Sequence, residues 1–105
     1  MTYEPIFTAL SDPTRRALLD ALREGPVSVK SLADPLPMSR PAVSQHLKVL
    51  RDAGLVRSEA QGTNRLYRID PTGLAALRGW LDGMWDDALG AFAQEAHRQA
   101  KGKLP

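Results

Sequence analysis

Apolar positions along the chain recur first at a helical period, then at a strand period, then at a helical period again. Ile6, Phe7 and Leu10 form a short apolar segment that reads as helix. Ser11-Asp12-Pro13 places an N-cap before a proline at the first helical position, where its missing N–H costs nothing. The helix it opens carries Ala17, Leu18, Ala21 and Leu22 on one stripe and stops at Gly25-Pro26. Ser28 opens a brief helix through Val29, Leu32 and Ala33, which Pro35 to Pro37 ends. Ser39 caps the next helix, with Pro41 tolerated in its first turn and Gly54 closing it just past the C-cap.

After Gly54 the pattern alternates. Leu55-Val56-Arg57-Ser58-Glu59 and Arg65-Leu66-Tyr67-Arg68-Ile69 flank Gln61-Gly62-Thr63-Asn64, whose Gly and Asn tolerate positive φ, and together they predict a β-hairpin. Asp70-Pro71 repeats the cap-then-proline start and opens a last helix running to Ala100, with a frayed tail over 101–105. The order α-α-α-α-β-β-α is mainly α with a small β-hairpin. It predicts a winged helix-turn-helix, with the helix-turn-helix at 28–53, the wing at 55–69 and a C-terminal helix at 71–100. At 105 residues and 43% hydrophobic content the chain suffices for one domain, 1–105, and not for two.

Charge changes the picture once it is divided along the chain. The net +2 splits into −1 over residues 1–36, +4 over 37–69 and −1 over 70–105, with Arg40, Lys48, Arg51, Arg57, Arg65 and Arg68 in the middle against Asp52 and Glu59. A basic centre between acidic flanks suits a polyanion. The chain has no cysteine, which excludes disulfides, thiolate metal sites and thiol redox sensing. Residues 1–5 carry neither a basic nor an apolar leader pattern, and no apolar run is long enough to span a bilayer. The expectation is a cytoplasmic protein with no membrane partner.

The helix from Ser39 to Ala53 is the informative one. Val43, Leu47 and Leu50 make a narrow apolar stripe, and at 100° per residue Ser44, Lys48, Pro41, Asp52 and Gln45 fall opposite it, with Arg40 and Arg51 at the edge. Arg and Lys suit guanine, Gln suits adenine, and Ser suits either base or phosphate. Any amphipathic helix has a solvated face, but this one follows a short helix and a tight turn at Leu36-Pro37-Met38 and precedes a basic hairpin. Arg57, Asn64 and Arg65 in that hairpin suit phosphates or the adjacent minor groove.

The string from Phe7 to Arg16, Phe-Thr-Ala-Leu-Ser-Asp-Pro-Thr-Arg-Arg, resembles the opening of the ArsR (ArsR/SmtB-like) repressor family. So do Met38 to Leu50 (Met-Ser-Arg-Pro-Ala-Val-Ser-Gln-His-Leu-Lys-Val-Leu), Ala53-Gly54-Leu55-Val56, and the wing from Gly62 to Asp70. The resemblance covers nearly the whole chain. It implies a winged-helix homodimer that represses from a palindromic operator in double-stranded DNA. By the family pattern Ser39, Arg40, Ser44, Gln45 and Lys48 are expected at the DNA, with Arg65 from the wing; Pro41 on the same helix face and Arg57, Thr63 and Asn64 in the hairpin complete the expected DNA-binding set. Metal-sensing members carry a cysteine pair where this chain reads Ser31-Leu32-Ala33-Asp34. Their second site pairs Asp-x-His with a downstream His and Glu, whereas here Asp82 is followed by Gly83-Met84 and His97 stands alone. No metal and no cofactor is expected, and the effector is left open.

The last helix carries Leu74, Leu77, Leu81, Met84, Ala88 and Ala91 at alternating three- and four-residue steps, with Trp80, Trp85, Leu89 and Phe92 beside them. That exceeds what one side of a helix needs to cover a small core. It predicts a homodimer interface through Ile6, Phe7, Leu10, Leu74, Leu77, Leu81, Met84, Trp85, Ala88, Leu89 and Phe92. His46 reads as a packed or hydrogen-bonded histidine. His97 reads as exposed, with Asp86, Asp87 and Glu95 on the same helix leaving weak divalent-ion binding open. No nucleophile elbow, phosphate loop or paired His and carboxylate supports an enzyme. The rival from another class is a winged helix that docks an acidic protein partner without specific DNA binding; Ser44, Gln45 and Lys48 favour DNA.

Overall fold

The computed structural model describes residues 3–102. In order these form α1 (Glu4–Leu10), α2 (Pro13–Ala21), β1 (Val27–Ser28), α3 (Val29–Ala33), α4 (Arg40–Asp52), β2 (Val56–Gln61), β3 (Asn64–Ile69) and α5 (Pro71–Gly102). The helix starts are those the caps predict. Asp12 accepts the Arg15 N–H at 2.9 Å, Ser28 that of Ser31 at 3.2 Å, Ser39 that of Ala42 at 3.2 Å, and Asp70 that of Thr72 at 2.9 Å. Each side-chain oxygen satisfies one of the orphan donors of a first turn. The far end of α1 is closed by Ser11 Oγ, which donates to the Thr8 carbonyl at 2.7 Å. Arg16 Nη1 also donates to the Leu10 carbonyl, at 2.7 Å.

Four features differ from the sequence expectation. First, α2 ends at Ala21 rather than at Gly25-Pro26, and Ala17 and Ala21 are exposed while Leu18 and Leu22 are buried. The buried stripe of α2 is therefore narrower than its apolar residue types suggest. Second, Val27 and Ser28 form a third strand, giving an antiparallel sheet in the order β1-β3-β2. Third, the hairpin turn is the two residues Gly62-Thr63, so that Asn64 opens β3 opposite Gln61. Only Gly62 has positive φ there, +62°, as the first central residue of a II′-type turn requires. Fourth, α5 reaches Gly102; residues 103–105 of the expected frayed tail lie outside the described residues.

The core lies between α2, α3, α4 and the base of the sheet. Leu18, Leu22, Leu32, Val43, Leu47, Leu50, Leu55, Val56 and Tyr67 fill it, joined from α1 by Ile6 and Ala9. Ile6 was expected at a dimer interface, but at 1% exposure it has almost no surface left to offer a partner. Leu10, Leu74 and Leu77, expected there too, are half-buried against the same core. Phe7 sets its ring edge-on against Trp80 of α5, centroids 5.0 Å apart and planes 73° apart. From Leu81 to Ala100 every residue of α5 is exposed, and the molecule measures 75 Å along one axis against 25 and 24 Å along the others.

Candidate nucleic-acid interface

Val43, Leu47 and Leu50 are 0% exposed, so the orientation of α4 is fixed by three side chains locked in the core. The opposite face is then determined. Arg40, Pro41, Ser44, Gln45 and Lys48 are all exposed on it, in the N-terminal half of the helix. Ser39 is exposed as well, with its hydroxyl oxygen accepting the Ala42 N–H and its own proton free for another acceptor. The α3–α4 connection is held by Leu36 and Met38, both partly buried against the core, and by the Leu36 amide donating to the Ala33 carbonyl at 2.9 Å.

In the wing, Arg57, Thr63, Asn64 and Arg65 are exposed. Register separates the two arginines. Arg57 stands opposite Arg68 and Arg65 opposite Ala60, so the alternation of the strands puts Arg57 and Arg65 on opposite faces of the hairpin. Arg65 Nη1 donates to the Ser58 hydroxyl at 2.9 Å, which steadies it on the face that carries Tyr67.

The charges sort themselves. The only carboxylates between residues 37 and 69 are Asp52 and Glu59. Asp52 lies 3.9 Å from Arg51, and Glu59 accepts from Arg68 at 2.7 Å. Among the described residues Arg40, Lys48, Arg57 and Arg65 make no ion pair. The four unpaired cations of the basic centre are those the sequence places at DNA.

A contact the sequence does not reveal lies behind this face. His46 Nδ1 stands 3.4 Å from Arg15 Nη1 and 3.9 Å from Asp12 Oδ2, joining α4 to the start of α2. The Arg15 amide, and secondarily the charge of Arg15, hold the Asp12 carboxyl below its ordinary pKa. His46 is thus the hydrogen-bonded histidine expected, on partners 31 or more residues away. His97 is exposed, and among the described residues no three His, Asp or Glu side chains stand close enough together to hold a metal ion.

On α5, Leu81, Met84, Trp85, Leu89 and Phe92 are 49, 54, 65, 49 and 72% exposed, and Ala88 lies among them. No helix among the described residues is long and apolar enough to cross a membrane.

A short helix, a tight turn and a second helix carried on a buried stripe, its polar half turned outward and followed by a basic hairpin, define a winged helix-turn-helix protein. A helix-turn-helix family model matches residues 10–59. The transcriptional regulator Rv2034 of Mycobacterium tuberculosis is 58% identical over 86 residues, covering 82% of this chain and 80% of its own. A crystal structure of an ArsR family transcriptional regulator superposes with a TM-score of 0.73 at 38% identity, covering 79% of this chain and 86% of its own. The solution structure of a homodimeric winged helix-turn-helix DNA-binding domain from Mycobacterium bovis, a possible ArsR-family regulator, has a TM-score of 0.64 at 29% identity. That alignment covers 82% of this chain and 80% of the other. The chain belongs to the ArsR family of winged helix-turn-helix transcriptional regulators. It is a DNA-binding regulator and not an enzyme.

Proposed function

We propose that the chain is a cytoplasmic, homodimeric repressor that binds a palindromic operator and occludes it from the transcription machinery. The carrying observation is the division of α4, with Val43, Leu47 and Leu50 sealed in the core and Arg40, Ser44, Gln45 and Lys48 exposed together on the other side. Gln45 and Ser44 supply base contacts and Arg40 and Lys48 either guanine or phosphate contacts. Ser39 and Pro41 lie where the helix enters the groove, and Arg57, Thr63, Asn64 and Arg65 grip the flanking backbone.

The exposed apolar side of α5 supports the dimer. Five large apolar side chains in a row on a helix that has left its own core form a patch that solvent does not stabilise. A two-fold axis through that patch sets the two copies of α4 about 34 Å apart, or a multiple of that, matching half-sites one or more DNA turns apart. Leu74 and Leu77, packed against the core, precede the patch on the same helix, and Phe7 of α1 meets that helix at Trp80. The M. bovis structure neighbour, itself described as homodimeric, is consistent with this assembly.

Selection of bound duplexes from random DNA by the purified chain tests the reading. The expected product is an inverted repeat bound with a steep dependence on salt. Failure to retain any duplex at low salt would refute it and leave docking of an acidic protein as the use of the same face.

A further inference from the structure

The polar corner behind α4 joins three helices through one arginine. Arg15 Nε donates to the Ala9 carbonyl at 2.8 Å and Nη2 to the Thr8 carbonyl at 3.0 Å, both at the end of α1. Its Nη1 is the group 3.4 Å from His46 Nδ1 on α4. A guanidinium has donors and no acceptor, so this contact is a hydrogen bond only while Nδ1 carries no proton. As acceptor of that bond the ring carries its proton on Nε2. Asp12 Oδ2, which caps α2, faces the same Nδ1, so the charged groups turned to the ring are Arg15 and Asp12.

The corner stands where small errors are magnified. His46 lies between Gln45 on the exposed face and Leu47 in the core. On its other side α1 carries Phe7, whose ring meets Trp80 of α5. Contacts thus run without a break from α5 through α1 and Arg15 to α4. In a two-fold dimer each copy of α4 lies roughly 17 Å from the axis, half of one DNA turn. Because α4 has 13 residues and is about 20 Å long, a tilt of about 10° around its middle would move each end by about 2 Å, more than half the ~3.4 Å rise between base pairs.

We propose that Arg15 and His46 are positioning residues for DNA binding, with the neutral ring as hydrogen-bond acceptor setting the attitude of α4 to the α1–α5 frame and hence the spacing of the two reading helices. This rests on the proposed homodimer and on α4 as its reading helix. The competing role for His46 is a direct phosphate contact through Nε2–H.

The probes are the palindromic duplex selected by the wild-type chain, a duplex with one half-site, and an unrelated duplex, followed by fluorescence anisotropy over a salt series. His46→Leu removes the acceptor. Arg15→Lys removes the planar fork that serves two carbonyls and the ring together. Both should weaken binding to the palindrome about tenfold through lost avidity, weaken the half-site by no more than about twofold, and leave the salt slope unchanged. His46→Asn, whose amide oxygen takes the place of Nδ1, should restore the palindrome. His46→Gln, with its oxygen at the place of Nε2, should not, and it decides the matter if the leucine variant fails to fold. Equal losses on all three duplexes, with a salt slope lower by about one, would overturn the proposal in favour of a phosphate contact. Unchanged palindrome binding in His46→Leu or His46→Gln would overturn it outright. A wild-type chain that binds no duplex, or prefers no palindrome, refutes the function beneath it instead.

Discussion

The amide of Gly73 donates to the carbonyl of Gly54 at 2.8 Å, so the first turn of α5 meets the α4–β2 corner backbone to backbone. Gly54 has φ +76°, and a Cβ on Gly73 would stand 2.5 Å from the Gly54 oxygen and 2.8 Å from its carbonyl carbon. Those neighbours are main chain and cannot swing aside. Overpacking of this kind costs about 1–3 kcal/mol, more than the ~1 kcal/mol that alanine gains over glycine in a helix. Gly73→Ala is therefore expected to destabilise the fold. Gly79→Ala, with nothing within 4 Å of the new methyl, should stabilise it by about 0.5–1 kcal/mol. Urea denaturation of both variants checks the pair; a gain in Gly73→Ala would contradict the close contact.

Gln45 and Lys48 should fail differently. Gln45→Ala is expected to lose about 1–3 kcal/mol at one base pair and to relax the preference there. Lys48→Ala should weaken all duplexes alike and lower the salt slope by about one if its contact is a phosphate. Competition binding against single-base operator variants separates the two; uniform weakening in Gln45→Ala would contradict base reading by that residue.

Leu81 is 49% exposed in the single chain and lies on the apolar side of α5. Leu81→Asp should leave the fold of one copy intact, because the residue does not join the core, yet abolish the dimer by placing a charge in an apolar interface. Sedimentation velocity should then show half the wild-type mass, with operator affinity lowered by lost avidity. A dimer of unchanged stability would remove α5 from the interface.

Acid should weaken the fold through its caps. The Thr72 amide holds the Asp70 carboxyl below its ordinary pKa, helped by the Thr72 hydroxyl and by Arg57. A lowered folded-state value means that the contribution is fully present above the unfolded value, near pH 4, and is lost as pH falls through the folded one. Asp12 follows the same sign. Asp70→Asn keeps a capping oxygen without the titration, so its stability should fall less than that of the wild type between pH 5 and about pH 3. Parallel acid curves from thermal melts would contradict this account.

Much of this was legible because helix starts are local events. Asp12-Pro13, Ser28, Ser39 and Asp70-Pro71 announce their helices within four residues, and each cap forms where expected. The exposed half of α4 was legible because a stripe of Val43, Leu47 and Leu50 leaves no choice about what faces away. What escaped depends on partners far along the chain. Two residues, Val27 and Ser28, show no period, and their strand exists only because Tyr67 and Leu66 come alongside. Ile6 and Leu81 look alike in sequence, yet one fills the core and the other is exposed. Nothing in the spacing links Arg15 to His46. The split of Arg57 and Arg65 was within reach, since opposing Ala60 to Arg65 already sets Arg57 on the other face.

On α4 the residues that hold the helix and those proposed to meet DNA are disjoint sets. Ser44, Gln45 and Lys48 touch nothing in the core, so their identities can drift without disturbing the frame that carries them. Such a helix is a mount with an interchangeable face. Randomising these three positions should yield a library that folds as one and disagrees about which DNA it prefers.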